Sequence, residues 1–291
     1  MPTILDGAAV AKKLQSELKA RVDALYLEYV FPVLATIRVG EDPAAVSYET
    51  GMLKAAKATG VRVRRYILPA DVTTEDLTEL IRGINADMLI SGLLLLRPLP
   101  DHVDEDAVTA LIAPEKDVDC ANLHDLPYYV PCTAEACMEL LRRYEIPVEG
   151  KRAVVLGRSR TAGLPAAKLL LEANATVTVC HSRTADLAAV AREGDILLAA
   201  LGRRGMIGVD FIKPGAVVLD VGIHRDLESG KLCGDVDSDA VALLASALTP
   251  VPGGVGAVTS TILMRHVIDG AERSARRAAR DLAAGVPGTK E

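Results

Sequence analysis

Aromatic residues are scarce in this sequence, which contains no Trp, two Phe and seven Tyr among its 291 residues. Half of the residues are hydrophobic and a quarter are charged, a balance that is ordinary for folded, water-soluble domains. The core must therefore be built mainly from aliphatic side chains. A chain of this length is long enough to bury such a core in one large or two medium domains.

Cysteines are also few, and none of them belongs to a CxxC pair; the five are Cys120, Cys132, Cys137, Cys180 and Cys233. Their odd number and scattered positions favour reduced thiols in a cytoplasm-like compartment. The first residues, MPTILDGAAVAKKL, lack the pattern of a signal peptide. We therefore expect a cytoplasmic protein, and we assign no metal ligands.

Long apolar segments are absent as well. A run such as MLISGLLLL at 88–96 is far shorter than the roughly 20 residues that a membrane-spanning helix needs. The formal net charge is −6, which disfavours nucleic acids and anionic membranes as main partners. The sequence therefore predicts neither a nucleic-acid partner nor a membrane partner.

Predicted helices and strands alternate along the first half of the chain. The predicted strands are 32–40, 61–69 and 88–96, and the predicted helices are 8–29, Asp42-Pro43 to about Gly60, 73–86, 104–112 and 133–146. The helix at 73–86 begins with a capping-box pattern. This alternation is typical of an α/β unit with a largely parallel sheet.

The second half begins with a short strand, RAVVLG (152–157), followed by the turn RSRTAG and a helix that Pro165 opens. Further strands are predicted at 175–180, 195–201 and 216–222. A strand, a glycine-rich turn, a helix and a strand within about thirty residues are typical of a Rossmann-type dinucleotide-binding unit. The spacing of Gly157 and Gly163 departs from GxGxxG, so a flavodoxin-like domain without a ligand is the alternative.

The residues after the second of these strands favour NADP over NAD. An NAD site usually has an Asp or Glu here to bind the ribose hydroxyls, whereas this chain reads His181-Ser182-Arg183-Thr184. Hydroxyls and guanidinium groups suit a phosphate instead. The predicted NADP ligands are Gly157, Arg158, Ser159, His181, Ser182 and Arg183. A solvated basic loop is the alternative.

A compact loop, TPVPGGVG at 249–256, contains two prolines and three glycines, and it allows the backbone to approach a ligand closely. A long final helix is predicted from Thr259 to about residue 284, returning to the first domain. The predicted fold is thus two α/β domains, the second of Rossmann type. Their predicted bounds are 1–147, completed by 259–284, and 148–258.

A series of short motifs runs along nearly the whole chain. In order they are LDG, PAAVSY, RPLP, PEKDVD, PCT, GRSRTAGLP, VTVCHSRT, KPGAVVLDVGI, GDVD and TPVPGGVG. Together they resemble the bifunctional methylenetetrahydrofolate dehydrogenase/methenyltetrahydrofolate cyclohydrolase family. The ordered series is very specific for fold and ancestry, and less so for activity because several pocket positions differ.

The resemblance implies NADP as cofactor, a folate as small-molecule substrate and a homodimer formed through the nucleotide domain. Tyr48 matches the family tyrosine that stacks against the folate, and Asp119 matches the carboxylate that binds the amino-pyrimidinone edge of the pterin. Pro252-Gly253-Gly254 matches the floor of the folate site, and we place Ile223 with the cofactor ligands. The alternatives are an ordinary half-buried tyrosine and a turn-forming aspartate.

The chain departs from the family at two catalytic positions. Hydride transfer mainly requires two rings held face to face, whereas addition of water to the methenyl cation requires proton handling. The family assigns proton handling to a lysine one turn after the tyrosine and a glutamine before PLP; these positions hold Met52 and Leu96. Other departures are Cys120 for Gly, Ala134 for Pro and Ala257-Val258 for Pro-Met.

Neighbouring basic residues do not take over the lysine position on ideal geometry. Lys54 and Lys57 project away from the direction of Met52 on a helix. Arg97 would face the opposite side from Leu96, unless the RPLP turn re-aims it. Met52 is most simply apolar packing, with a substrate contact as the alternative.

The sequence thus predicts an NADP-dependent methylenetetrahydrofolate dehydrogenase whose cyclohydrolase activity is weak or lost. One alternative is a related dehydrogenase that acts on a changed substrate in a specialised pathway. The other is a non-catalytic, ligand-binding descendant of the family.

Overall fold

The computed structural model describes residues 1–122, 128–225 and 230–284. The chain divides into two compact units. Unit 1 comprises Met1–Lys13 and Val130–Ile262, and unit 2 comprises Leu14–Tyr129 and Leu263–Glu291. Within the described ranges, no helix combines the length and the apolar character needed to cross a bilayer.

Strands and helices alternate along both units, as predicted. The strands are β1 (Thr3–Ile4), β2 (Val33–Val39), β3 (Arg62–Leu68), β4 (Gly92–Leu95), β5 (Arg152–Leu156), β6 (Thr176–Cys180), β7 (Ile196–Ala199), β8 (Val217–Asp220), β9 (His224–Arg225), β10 (Leu232–Cys233) and β11 (Ala247–Leu248). The helices are α1 (Gly7–Leu27), α2 (Pro43–Thr59), α3 (Thr74–Ala86), α4 (Glu105–Thr109), α5 (Cys132–Arg143), α6 (Gly163–Glu172), α7 (Leu187–Ala191), α8 (Ser238–Val241) and α9 (Val255–Ala283). A single 3₁₀ turn at Val209–Phe211 follows β7 in the described chain.

Unit 1 is built on a six-stranded sheet with the order β1-β11-β8-β7-β5-β6. All of its strand pairs are parallel, which is the arrangement of a Rossmann-type unit. Fully buried aliphatic side chains such as Leu156, Leu197 and Val218 form its core. Each such burial stabilises the fold by about 1.5–3 kcal/mol, so an aliphatic core suffices without Trp.

The structural boundaries differ from the predicted bounds at both ends of unit 1. The predicted bounds place the N-terminus in the other domain, but Thr3–Ile4 pairs in parallel with Ala247–Leu248 at the edge of this sheet. Helix α5 also clusters with unit 1. Neither assignment depends on local sequence, because both follow from partners that are distant along the chain.

Unit 2 contains a three-stranded parallel sheet with the order β3-β2-β4. The predicted strand at 88–96 is shorter than expected and begins only at Gly92. The carboxylate of Asp87 accepts a hydrogen bond from the Leu89 amide at 2.9 Å, and the Ile90 amide bonds to the Asp87 carbonyl. This turn leaves Met88 and Leu89 exposed.

Helix α2 follows β2 and has clear sequence signals at both ends. The Asp42 side chain accepts hydrogen bonds from the amides of Ala44 and Ala45, and Pro43 occupies the first turn, as a helix start favours. Gly60 ends the helix with a φ of 82°, a conformation that glycine adopts without steric cost. Both ends agree with the prediction to within one residue.

Helix α9 begins at Val255, four residues before the predicted start at Thr259. Gly253 has a φ of 103°, which excludes it from a helix, and no proline follows it to delay the first turn. From Leu263 onward the helix belongs to unit 2, where His266 bonds through Nδ1 to the Val118 carbonyl at 2.7 Å. The final helix is therefore shared between the two units, with its larger part in unit 2.

Candidate active site

The turn between β5 and α6 requires glycine at two positions. Gly157 has a φ of 115°, and a Cβ there would collide with the carbonyl oxygen of Ala200. A Cβ on Gly163 would collide with the carbonyl oxygen of Gly157. The turn is thus packed closely on the helix start and on the end of β7, although its spacing departs from GxGxxG. Such a turn fits the pyrophosphate of a dinucleotide.

A second turn follows β6, beside the first. The Gly157 amide bonds to the Cys180 carbonyl at 2.9 Å, so the two turns leave neighbouring strands at the same edge of the sheet. His181 shapes the second turn, because its amide donates to Thr184 Oγ1 at 2.9 Å and its Nδ1 accepts from the Arg183 amide at 3.2 Å. Ser182 is exposed.

The two predicted phosphate-binding arginines have exposed side chains. Neither Arg158 nor Arg183 forms an ion pair with any residue in the described ranges, so both guanidinium groups are available to an anion. Ser159 differs, because its Oγ accepts from the amides of Ala162 and Gly163 at 3.2 and 3.4 Å. In this structure Ser159 therefore caps the start of α6.

A cavity of about 320 Å³ in unit 1 lies next to the carboxyl end of β8. Its lining includes Ile223 and the loop Pro252-Gly253-Gly254, so residues predicted separately for cofactor and folate lie around one cavity. Ile223 is 60% exposed. Ala257, one of the departures from the family pattern, also lines this cavity.

The N-terminal LDG motif supports the glycine loop of this cavity. A Cβ on Gly7 would collide with the carbonyl oxygen of Gly254, and the Ala8 amide donates to the Gly253 carbonyl at 3.2 Å. The Asp6 carboxylate accepts from the Ala9 amide at 3.0 Å and so caps α1. Helix α1 thus starts directly against the loop.

Asp220 is a buried carboxylate at the end of β8. It accepts hydrogen bonds from the amides of Gly222, Asp235 and Val236 at 2.9, 3.0 and 3.0 Å. A Cβ on Gly234 would collide with this carboxylate, which explains the glycine of the GDVD motif. Burial raises the pKa of Asp220 to about 6.

Asp235 is fully buried and binds the segment after β7 as well as His224 on β9. It accepts from the amides of Leu201, Gly202 and Arg203 at 2.6, 3.0 and 2.8 Å. Its Oδ1 also lies 2.8 Å from Nε2 of His224. Asp220 and Asp235 together connect the ends of β7 and β8 to the GDVD segment. Both residues lie in motifs noted in the sequence, KPGAVVLDVGI and GDVD. The motifs alone assigned neither carboxylate a role.

In unit 2, α2 carries the predicted folate-stacking residue and the substituted lysine position. Tyr48 is half-buried, whereas Met52 is fully buried. Lys54 and Lys57 are exposed on the outer side of the helix, so neither projects with Met52. This agrees with the expectation from ideal helix geometry.

Leu96 immediately follows β4 and is 2% exposed. Its amide donates to the Ile37 carbonyl at 2.9 Å, which places it at the carboxyl end of the sheet, where ligands of parallel sheets bind. The next residue, Arg97, forms an ion pair with Glu105 at 3.2 Å. The RPLP turn therefore directs Arg97 towards the start of α4.

The KDVD segment forms a tight turn beside β4. Asp117 is buried and accepts from the amides of Ala121 and Asn122 at 2.9 and 2.8 Å, so it shapes the turn. Burial raises the pKa of Asp117. Asp119 is partly exposed. Cys120 has a φ of 56°, a conformation that favours the glycine expected there, and its thiol donates to the Tyr129 carbonyl.

Two family models match the chain. The tetrahydrofolate dehydrogenase/cyclohydrolase catalytic domain matches residues 5–119, and the tetrahydrofolate dehydrogenase/cyclohydrolase NAD(P)-binding domain matches residues 131–275. The second model begins beside Val130, where unit 1 resumes.

The chain is 48% identical over 283 residues to the bifunctional protein FolD of Ralstonia nicotianae, covering 95% of this chain and 98% of that protein. It is also similar to the solved structure of the bifunctional methylenetetrahydrofolate dehydrogenase/cyclohydrolase FolD of Campylobacter jejuni, with a TM-score of 0.90, 39% identity and coverage of 94% and 99%. The Trypanosoma brucei methylenetetrahydrofolate dehydrogenase-cyclohydrolase, solved with NADP and an inhibitor, gives a TM-score of 0.88, 40% identity and coverage of 94% and 99%.

The raised pKa of Asp220 predicts a pH-dependent stability. Its ordinary value is 3.8 and its folded value is about 6, so the folded state binds this proton more tightly than the unfolded state. The free energy of unfolding should therefore fall by about 2 kcal/mol as the pH rises from about 4 to about 6. Asp220→Asn, which cannot ionise, should lack this fall in urea unfolding measured across that range.

Asp237→Asn is the matched control, because Asp237 is an exposed carboxylate of the same GDVD motif that caps α8. This variant should keep the wild-type pH dependence. An unchanged dependence in Asp220→Asn would contradict the assignment.

Proposed function

The chain belongs to the tetrahydrofolate dehydrogenase/cyclohydrolase family, and from this premise we propose that it oxidises methylenetetrahydrofolate to methenyltetrahydrofolate with weak or no cyclohydrolase activity. Hydride leaves the methylene bridge of the folate, and the product is a delocalised cation. The observation that carries the second half of the proposal is the complete burial of Met52, an apolar side chain, where the family has a lysine.

The nucleotide turns of unit 1 fit NADP. Gly157 and Gly163 let the first turn pack closely on its neighbours, because a Cβ at either position would collide with a carbonyl oxygen. A compact turn at a helix start suits a pyrophosphate, and Arg158 and Arg183 supply exposed cations for the 2′-phosphate. When bound, NADP supplies the hydride acceptor. The turn at 181–184 contains no Asp or Glu, which supports a preference for NADP over NAD.

The folate is assigned to Tyr48 and Asp119. The half-buried ring of Tyr48 offers one face to a pterin, and the partly exposed carboxylate of Asp119 suits two parallel N–H donors. Oxidation formally requires no proton transfer at the protein. Binding and orientation of the substrate are therefore the contribution of these side chains to the rate.

Hydration of the methenyl cation is a different problem, because it requires a group that accepts a proton from water. Met52 and Leu96 offer none. Glu49, the buried carboxylate on the same helix, accepts three hydrogen bonds from two arginines, and Arg97 is paired with Glu105. The described residues of α2 and of the RPLP turn thus provide no replacement, which supports loss of the hydration step.

A homodimer is proposed through the exposed edge of the unit 1 sheet. Strand β6 is the last strand of that sheet, so one side of its backbone has no sheet partner within the described chain. The adjacent α6 exposes Leu164 and Leu171, which are 46% and 63% exposed. An open strand edge beside apolar side chains favours association with a second copy. The proposed location is the cytoplasm.

Replacement of Asp119 tests the folate assignment. Asp119→Ala should weaken methylenetetrahydrofolate binding about tenfold or more, because a hydrogen bond to a charged group contributes about 1.5–3 kcal/mol. The Michaelis constant for NADP should not change. Glu115→Ala, which removes an exposed carboxylate from the same segment, should leave folate binding intact. Equal folate affinities of wild type and Asp119→Ala would refute the assignment.

Replacement of Arg158 tests the cofactor assignment. Arg158→Ala should lower kcat/KM for NADP about tenfold or more while kcat/KM for NAD changes little, since NAD lacks the phosphate that the arginine binds. Arg152→Ala is the control, because Arg152 lies at the start of β5 and pairs with Glu193. A preference that stays the same in Arg158→Ala would mean that the basic turn is merely solvated.

Restoring the two polar groups tests the loss of hydration. The double variant Met52→Lys/Leu96→Gln should hydrolyse methenyltetrahydrofolate about tenfold or more faster than wild type, because positioned acid–base groups typically contribute about 10²–10⁴-fold. Leu53→Lys, which places a lysine on the neighbouring, less buried position, should have no such effect. If both variants match wild type, the other departures from the family must control the step.

Light scattering on the purified protein tests the dimer. The expected mass is twice 30.8 kDa, and Leu171→Glu should shift it to that of a monomer. Leu243→Glu is the control, because Leu243 is also highly exposed in unit 1 but belongs to the segment after α8. A wild-type protein with the monomer mass would contradict the proposal.

A further inference from the structure

Helix α2 carries a buried charge next to its predicted folate contact. Glu49 follows Tyr48, and its side chain is only 3% exposed. Such a carboxylate must be ionically paired or hydrogen-bonded to remain charged in the interior. The sequence patterns that identified Tyr48 and Met52 gave Glu49 no role.

Two arginines from different strands bind this carboxylate. Arg38 on β2 donates from Nε to Oε2 of Glu49 at 2.9 Å. Arg65 on β3 donates to both oxygens, from Nε to Oε1 at 2.9 Å and from Nη2 to Oε2 at 3.0 Å. The bidentate geometry fixes direction as well as distance. The neighbouring Arg65 guanidinium lowers the pKa of Glu49, so the carboxylate is charged at neutral pH.

Arg38 also fixes the turn that leads into α2. Its side chain is 5% exposed, and Nη1 forms an ion pair with Glu41 at 2.9 Å and donates a hydrogen bond to the Gly40 carbonyl. Asp42, the N-cap of α2, follows directly. One guanidinium on β2 therefore binds both the connecting turn and the first half of α2.

The same face of the sheet contains the position of the missing glutamine. Ile37 and Leu95 pack in the core on the α3 side of the sheet, so the alternation of strand side chains places Arg38 and Leu96 on the opposite side. Glu49 binds Arg38 from α2, which covers that side. The ion pair of Arg38 and Glu49 thus lies between α2 and the sheet, on the side of the sheet where Leu96 is apolar.

The pairing of Glu49 restricts rotation of α2 about its axis. Successive helical residues are about 100° apart, so Tyr48, Met52 and Glu49 lie within about one third of the helix circumference. A rotation of about 20° would move a ring several ångströms from the axis by about 2 Å. Displacements of about 1 Å can cost roughly 100-fold in rate when substrate orientation limits the reaction.

We propose that Glu49, held by Arg38 and Arg65, is a positioning residue that sets the rotation of α2 and thereby orients Tyr48 against the folate. The inference rests on the proposed function in that it takes Tyr48 to be a folate contact. It adds a group that touches neither folate nor NADP and acts only through Tyr48.

The test is a double-mutant cycle between positions 48 and 49. Glu49→Gln should weaken tetrahydrofolate binding, measured by calorimetry, about tenfold, and it should raise the Michaelis constant for methylenetetrahydrofolate similarly while that for NADP stays within about twofold. In a Tyr48→Ala background the same substitution should change folate binding by less than about twofold, since residues that act through one contact are not additive. Equal effects in both backgrounds would overturn the proposal.

Two further variants separate positioning from stability. Arg65→Gln removes the bidentate partner but leaves the Arg38–Glu49 bond, so it should fold and show a smaller effect in the same direction. Arg21→Gln is the control, because it breaks a comparable ion pair of unit 2 with Asp269 and Glu272 away from α2. It should lower thermal stability without changing folate affinity. An equal loss of folate affinity in Arg21→Gln would overturn the proposal.

A ligand-free readout covers the case in which Tyr48→Ala binds too weakly to measure. The fluorine NMR signal of 3-fluorotyrosine at position 48 should shift in Glu49→Gln and Arg65→Gln but stay in place in Arg21→Gln. An unchanged signal in Glu49→Gln would contradict the proposal. If the wild type binds tetrahydrofolate but reduces no NADP, the proposed function fails while the binding cycle and the NMR signal still test Glu49.

Discussion

Two buried carboxylates hold the loops around the unit 1 cavity. A buried charge is costly unless its hydrogen-bonding capacity is used, and Asp220 and Asp235 each accept three backbone N–H groups. The glycines at 222 and 234 exist because these carboxylates occupy the space of a side chain. The positions of Ile223 and of the cavity lining depend on this arrangement. Asp220 and Asp235 thus have a structural role, because they bind backbone amides; no proton transfer is assigned to them.

Unit 2 uses its buried positions differently. Met52 and Leu96 are apolar and buried, and the charges beneath α2 are committed to the ion pairs of Glu49. We therefore expect binding and orientation of the substrate to be retained, and proton exchange with water to be lost. This division matches the chemistry of the two reactions of the family, because hydride transfer depends on ring orientation and hydration depends on an acid–base group.

Much of the fold follows from local patterns in the sequence. Asp42, Pro43 and Gly60 define α2 to within one residue, and strand periodicity identified both parallel sheets. Two errors have different causes. Strand β1 joins the unit 1 sheet through the distant β11, whereas the local turn at Asp87 shortens the predicted strand at 88–96. The ordered motifs identified the family and the cavity residues, but hydrogen-bond partners of carboxylates are set by tertiary structure. The roles of Asp220, Asp235 and Glu49 were therefore not predictable from spacing alone.

We propose that this chain oxidises methylenetetrahydrofolate without hydrating the methenyl product. The most direct measurement compares both steps on one purified sample: NADPH formation from methylenetetrahydrofolate, and decay of methenyltetrahydrofolate with and without the protein. We expect NADPH to form at an enzymatic rate while methenyltetrahydrofolate decays at its spontaneous rate. Decay accelerated by the protein to a rate comparable to that of oxidation would contradict the account, as would the absence of NADPH formation.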